Sequence, residues 1–235
     1  MAFVGGLAVA TDAFQTSVSG SIAVGSGANR WIVGLVGQST DSTDRITAAS
    51  QITLAGSSTG VTLAGTATTP AGQTAHKCRW FAIEVPSGTT GTVTLALSAP
   101  GFTGRRLQIV AACYDGITGY RTPVYGSNAF NNSPTATVTS ATGEEVVFFA
   151  SSPTSSLTLT AGAGSSAITG TAWTSASSLA GLREDGATSV TIGGTYSGSQ
   201  EYCCVAIALQ PGAVATKAPP PRVRPPALRP AYRYH

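Results

Sequence analysis

Across residues 1–211 apolar and polar positions alternate in short runs, broken by glycine, proline and aspartate. Period-two runs between turn signals are the mark of half-buried strands. Residues 19–24 open the series. In residues 30–36, Trp31, Val33 and Leu35 fall on one face, and Ile32, Gly34 and Val36 on the other. Both faces are apolar, which suits a strand covered on two sides. Residues 77–85 place Arg79, Phe81, Ile83 and Val85 together, opposite Cys78, Trp80, Ala82 and Glu84. Further runs lie at 52–54, 61–63, 92–97, 106–114, 135–139, 145–150, 157–160, 167–173, 189–192 and 202–209. Pro86-Ser87-Gly88, Asp115-Gly116 and Glu184-Asp185-Gly186 read as turns between them. No stretch of ten residues carries a helical period. The pattern predicts about twelve strands in one domain over 1–211, all-β, a single antiparallel β-sandwich of jelly-roll type. Shared parity on the longest strands predicts one inter-sheet core of Trp31, Val33, Leu35, Phe81, Ile83, Val205, Ile207 and Leu209.

Two stretches fall outside this pattern. Residues 119–132 carry aromatic and amide groups without alternation, and read as a loop over one end of the sandwich. Tyr120, Arg121, Tyr125 and Asn128 there are of the types that suit glycan stacking or a protein interface. Residues 212–235 hold six of the thirteen prolines between Pro219 and Pro230, which predicts an extended arm of polyproline II character.

Composition sharpens the picture. The chain has 26 serines, 33 threonines and 28 glycines, and only 10% of its residues are charged. With 42% hydrophobic residues, global disorder is excluded, and no apolar run is long enough for a membrane helix. The formal charge of +3 is unevenly placed. Five of the thirteen Lys and Arg lie in the arm, which has no acid, leaving eight against ten acids in the body. A near-neutral body makes nucleic acid an improbable partner. In the arm, Arg222, Arg224, Arg229 and Arg233 with Leu228, Tyr232 and Tyr234 form the expected partner-binding set. The start of the chain has no positive n-region, and Asp12 interrupts its apolar stretch, so assembly in the cytoplasm is expected.

Three stretches resemble a β-sandwich module widespread in bacterial and bacteriophage proteins. They are Gly20-Ser21-Ile22-Ala23-Val24-Gly25-Ser26-Gly27-Ala28-Asn29-Arg30-Trp31-Ile32-Val33-Gly34-Leu35, then Ala112-Cys113-Tyr114-Asp115-Gly116-Ile117 with Thr122-Pro123-Val124, and Glu201-Tyr202-Cys203-Cys204-Val205-Ala206-Ile207-Ala208-Leu209-Gln210-Pro211. Members of that module are mostly virion-associated or exported. The resemblance implies a jelly-roll-like fold and no catalytic residues. Combined with the arm, it leads to the expectation of a structural virion protein of a tailed bacteriophage, decorating or cementing the capsid. Its partners would be other virion subunits, capsid or tail, and a homo-oligomer is compatible with it. The alternative is a tail-fibre, spike or carbohydrate-binding module that recognises a cell-surface glycan.

Candidate chemistry is sparse. The only histidines are His76 and His235, too few to make a histidine-based triad the expectation. Asp41/Asp44, Glu144/Glu145 and Glu184/Asp185 are acidic pairs in turn-like surroundings, where solvated carboxylates cap backbone groups. Residues 39–44 offer oxygen ligands but lack the glycine and terminal glutamate of a calcium loop. Cys78, Cys113, Cys203 and Cys204 lack zinc spacing and read as buried thiols, with a Cys78–Cys113 pairing left open. No enzyme, cofactor or metal is expected.

Overall fold

The computed structural model describes residues 1–39, 41, 43–69, 76–86, 90–97, 106–154, 157–174 and 177–212. The arm at 213–235, with Arg222, Arg224, Leu228, Arg229, Tyr232, Arg233 and Tyr234, lies outside the described residues.

The first half of the chain supplies eight strands: β1 (Ala2–Ala10), β2 (Ser17–Ala23), β3 (Trp31–Ser39), β4 (Ile52–Leu54), β5 (Val61–Thr68), β6 (Lys77–Glu84), β7 (Thr90–Ala96) and β8 (Arg106–Asp115). The second half adds β9 (Ile117–Tyr120), β10 (Val124–Asn131), β11 (Thr135–Thr139), β12 (Glu145–Ser152), β13 (Leu159–Ala161), β14 (Ser166–Thr174), β15 (Ser177–Asp185), β16 (Ser189–Tyr196) and β17 (Gln200–Pro211). One turn of 3-10 helix, Ala49–Gln51, precedes β4. Every pairing is antiparallel.

The expected jelly roll is present, and it is present twice. The first half forms a sheet ordered β1-β8-β3-β6-β5 facing a sheet ordered β2-β7-β4. The second half forms β10-β17-β12-β15-β14, joined by β9, facing β11-β16-β13. Matching β1 to β10, β2 to β11 and so on to β8 and β17 reproduces every neighbour relation. The two five-stranded sheets lie face to face, with β1 beside β14 and β5 beside β10. That exchange of first and fifth strands is the relation an isologous two-fold dimer would have, here inside one chain.

Four stacked layers enclose three cores. Val18, Ile22, Val36, Ile52, Phe81, Ile83, Val93 and Leu95 fill the first sandwich. Val138, Phe148, Leu182, Ile192 and Tyr196 help fill the second. Between the sandwiches, a seam holds Val33, Leu35, Trp80, Val110, Tyr114, Phe149, Val205, Ile207 and Leu209. The seam explains why residues 30–36 are apolar on both faces: each face of β3 meets a different core.

This arrangement corrects the single core read from parity. Trp31 packs on the seam with Val33, Leu35, Val205, Ile207 and Leu209, but Phe81 and Ile83 point into the first sandwich. In the register of β3 and β6, Leu35 faces Trp80 and Val33 faces Ala82, so Trp80 and not Phe81 shares the seam face. The strand count is also higher than expected. Residues 2–10 form a full strand, with the Gly5 region taking up a bulge between Phe3 and Gly5.

Candidate functional site

The segment 119–132 is not a loop. It runs through β9 and β10, which both pair with β17. None of its four candidate contact residues is fully exposed. Tyr120 packs edge-on against Trp31 and Trp80, with ring centroids 5.9 Å apart in each case. Tyr125 reaches across the seam, where its hydroxyl donates to the Ala64 carbonyl and accepts from the Trp80 N–H at 3.3 Å. Its ring lies over Gly65, whose φ of +56° and lack of a side chain make the approach possible: a Cβ there would fall 2.2 Å from the ring. Arg121 grips Glu144 with two bonds of 2.8 Å, and this raises the guanidinium pKa and lowers that of the carboxyl. Asn128 is half-buried on β10, opposite Tyr202.

The acidic pairs hold cations and donors, and two of their members are less solvated than their turn-like surroundings suggested. Asp41 and Glu144 are nine-tenths buried. Asp41 accepts from Thr43 N and Arg45 Nε at 2.9 and 3.0 Å. Asp44 binds Arg79 through Nη2 at 2.6 Å and Nε at 3.2 Å. Glu145 accepts from the Tyr114 hydroxyl at 2.7 Å, across the seam, and burial, with this neighbour second, raises the tyrosine pKa well above the ordinary range. Glu184 accepts from Ser165 at 2.9 Å. Among the described residues no group of three or more His, Cys, Asp or Glu is placed to hold a metal ion.

The two turn motifs quoted for the module meet each other. Asp115 accepts from Gly27 N at 3.1 Å, while Gly116 N and Ile117 N donate to Ala28 and Asn29 carbonyls at 2.9 and 3.1 Å. Arg30, nearly buried, donates to the carbonyls of Gly25 and Pro86 at 2.9 and 2.7 Å. Gly212 N donates to the Gly116 carbonyl at 2.7 Å. These residues knot the turn before β3, the crossing from first to second sandwich, and the end of β17 into one junction. The motifs are structural at this point.

At the other end of the seam lies a buried polar layer that no spacing in the sequence announces. His76 Nε2 sits 3.1 Å from Ser151 Oγ, and Ser151 in turn donates to Gln108 Oε1. Gln108 Nε2 donates to Ser177 Oγ at 2.6 Å, and Cys203 Sγ lies 3.4 Å from the His76 carbonyl. His76, Gln108, Ser151 and Ser177 are all inaccessible to solvent. Ser151 has one proton and gives it to Gln108, so its oxygen accepts from His76, which fixes the Nε2–H tautomer. In this arrangement the imidazole donates to the serine and takes no proton from it, and among the described residues no carboxylate bonds His76 Nδ1, where a nucleophilic triad carries one. Burial lowers the His76 pKa to about 4, against the weaker effect of hydrogen bonding by the ring to the backbones of Ser151 and Gln38. These residues are 75 and 43 positions apart in their contacts, so only strand pairing reveals them.

All four cysteines are buried thiols outside any disulfide. Cys78 faces the seam and Cys113 the first sandwich, on opposite sides of one sheet, which closes the possibility of their pairing. Burial is the main cause that pushes Cys113 and Cys204 to about 12. Comparison with family models, curated proteins and solved structures finds no match for the chain.

Proposed function

We propose that this is a structural virion protein of tailed-bacteriophage type, which decorates or cements a particle through a rigid doubled sandwich and a basic C-terminal arm. One observation carries the reading: among the described residues, the acidic pairs and the histidine that could carry chemistry are engaged in holding the fold. Asp44, Glu144 and Glu145 pair with Arg79, Arg121 and Arg183, and His76 donates inside the buried seam. A protein built this way works through its surface and its termini. The three stretches that resemble phage and bacterial sandwich modules point the same way, as does the arm with its five cations and no acid.

In this reading residues 213–235 anchor the protein to a neighbouring subunit, with the arginines as forks for carboxylates and Leu228, Tyr232 and Tyr234 as apolar contacts. The test is to delete 213–235 and follow both folding and incorporation. The truncated chain should fold, because β17 ends at Pro211, and its occupancy on purified particles should fall at least tenfold. Assembly at wild-type occupancy would move the anchor to a sheet face. Tight, specific binding of the isolated protein on a glycan array, without particle association, would favour the glycan-recognition alternative.

A further inference from the structure

The seam differs from the other two cores in how it is closed. Each sandwich has its own filled interior, so parting the two five-stranded sheets would leave both of those interiors intact. Among the described residues the chain crosses the seam once, at Gly116, whose φ of +75° needs glycine. That end is knotted by Ala28, Asn29, Asp115 and Gly212. The opposite end is held by the His76–Ser151–Gln108–Ser177 layer, in which each bond joins the first half of the chain to the second.

We propose that the seam opens in acid from the His76 end, hinging at Gly116, while both sandwiches stay folded. A charged imidazole would lie fully buried, with only neutral groups bonded to it. At the His76 end of the surrounding strands, the ionisable residues among those described are Lys77 and Cys78 on β6, Arg106 on β8, and Glu201, Tyr202, Cys203 and Cys204 on β17; the same end of β3, β12 and β15 offers Gln38, Ser151 and Ser177, and the charged residues Glu145, Arg183, Glu184 and Asp185 lie at the far end of β12 and β15. None of the charged ones offsets burial at His76, where only hydrogen bonding by the ring to the backbones of Ser151 and Gln38 acts against it. With the seam open, the ring returns to its ordinary value near 6.5, so the open form binds the proton more tightly than the closed form. Closure is therefore at full strength above about pH 6.5 and weakens as the pH falls toward about 4. The shift corresponds to an increase in the opening equilibrium of about two orders of magnitude.

The cysteines report on this directly. Cys78 and Cys203 lie in the seam, Cys113 in the first sandwich and Cys204 in the second. The full chain would be labelled with 4,4′-dithiodipyridine, which reacts with thiols in acid, and each cysteine quantified by peptide mass spectrometry. Between about pH 7 and about pH 4.5, labelling of Cys78 and Cys203 relative to Cys113 and Cys204 should rise at least tenfold. His76→Gln keeps an N–H donor but cannot titrate, and should abolish the rise. Glu201→Gln should leave it in place, which separates the histidine from the nearby carboxylate. Four thiols reacting together in acid would mean global unfolding and would overturn the proposal. A ratio that stays flat with pH, or a rise that survives His76→Gln, would also overturn it. If His76→Gln does not fold, the wild-type ratio and the Glu201→Gln control decide the matter.

Discussion

Ile83 and Ile207 are both fully buried, and they serve different cores: Ile83 the first sandwich, Ile207 the seam. Truncating a buried isoleucine to alanine removes its transfer free energy and leaves a cavity, at a cost of about 2–5 kcal/mol. Each of Ile83→Ala and Ile207→Ala is expected to lose that much in urea unfolding. The double variant should lose close to the sum, since the two side chains occupy separate clusters. A strongly non-additive result would mean that the cores are coupled more tightly than their contacts indicate. At this scale the sequence was legible within each strand and illegible between strands. Alternation in 77–85 correctly separated Phe81 and Ile83 from Trp80 and Ala82. It could not say which of these sets faces Leu35, because β3 is apolar on both sides and accepts either phase.

The elements that escaped the pattern are those whose role depends on a partner. Strand β10 shows no clean alternation because it packs on the opposing sandwich through a tyrosine hydroxyl and a serine. Its Ser127 donates to the Thr68 carbonyl at 2.9 Å, and Tyr125 binds both Ala64 and Trp80. Strand β5 meets it with a bulge between Ala64 and Ala67, which turns the Gly65 backbone toward the tyrosine ring. Tyr125→Phe keeps the ring and removes the hydroxyl, leaving the Ala64 carbonyl and the Trp80 N–H without their shared partner. A loss of about 1–3 kcal/mol is expected, read from the denaturation midpoint at unchanged m-value. An unchanged midpoint would show that water replaces the hydroxyl at this edge.

For the whole molecule, the all-β antiparallel class was plain from the short runs and scarce helix formers, but the doubling was missed. Its trace lies in the sequence. Residues 61–67 read Val-Thr-Leu-Ala-Gly-Thr-Ala, and residues 167–172 read Ala-Ile-Thr-Gly-Thr-Ala, at β5 and its counterpart β14. Likewise Thr92-Val93-Thr94-Leu95 on β7 answers to Ser189-Val190-Thr191-Ile192 on β16. The outer faces kept their chemistry as well: Ser19 and Thr94 bond at 2.8 Å on one, Thr137 and Thr191 at 2.9 Å on the other. The inner faces differ, and each fits the other. The imidazole just before β6 stands where the second half has Ser177, the first residue of β15, and the polar layer needs one of each. A comparison of the two halves of the chain would have found the repeat, whereas the buried layer requires the pairing itself.

The junction at Gly116 also brings distant points of the chain together. Met1 lies within 3.3 Å of where a side chain on Gly116 would begin, and Gly212 N bonds the same residue's carbonyl. The first residue, the midpoint and the end of the last strand therefore meet at one spot. The order in which the halves are synthesised is then interchangeable. A circular permutant with a short glycine-rich linker from Gly212 to Met1, opened after Asp115, is expected to fold with both jelly rolls intact, since contacts rather than connectivity hold the seam. Thermal unfolding of that permutant as one cooperative transition is the expected outcome. Two separated transitions would show that the single covalent crossing at Gly116 is what couples the halves.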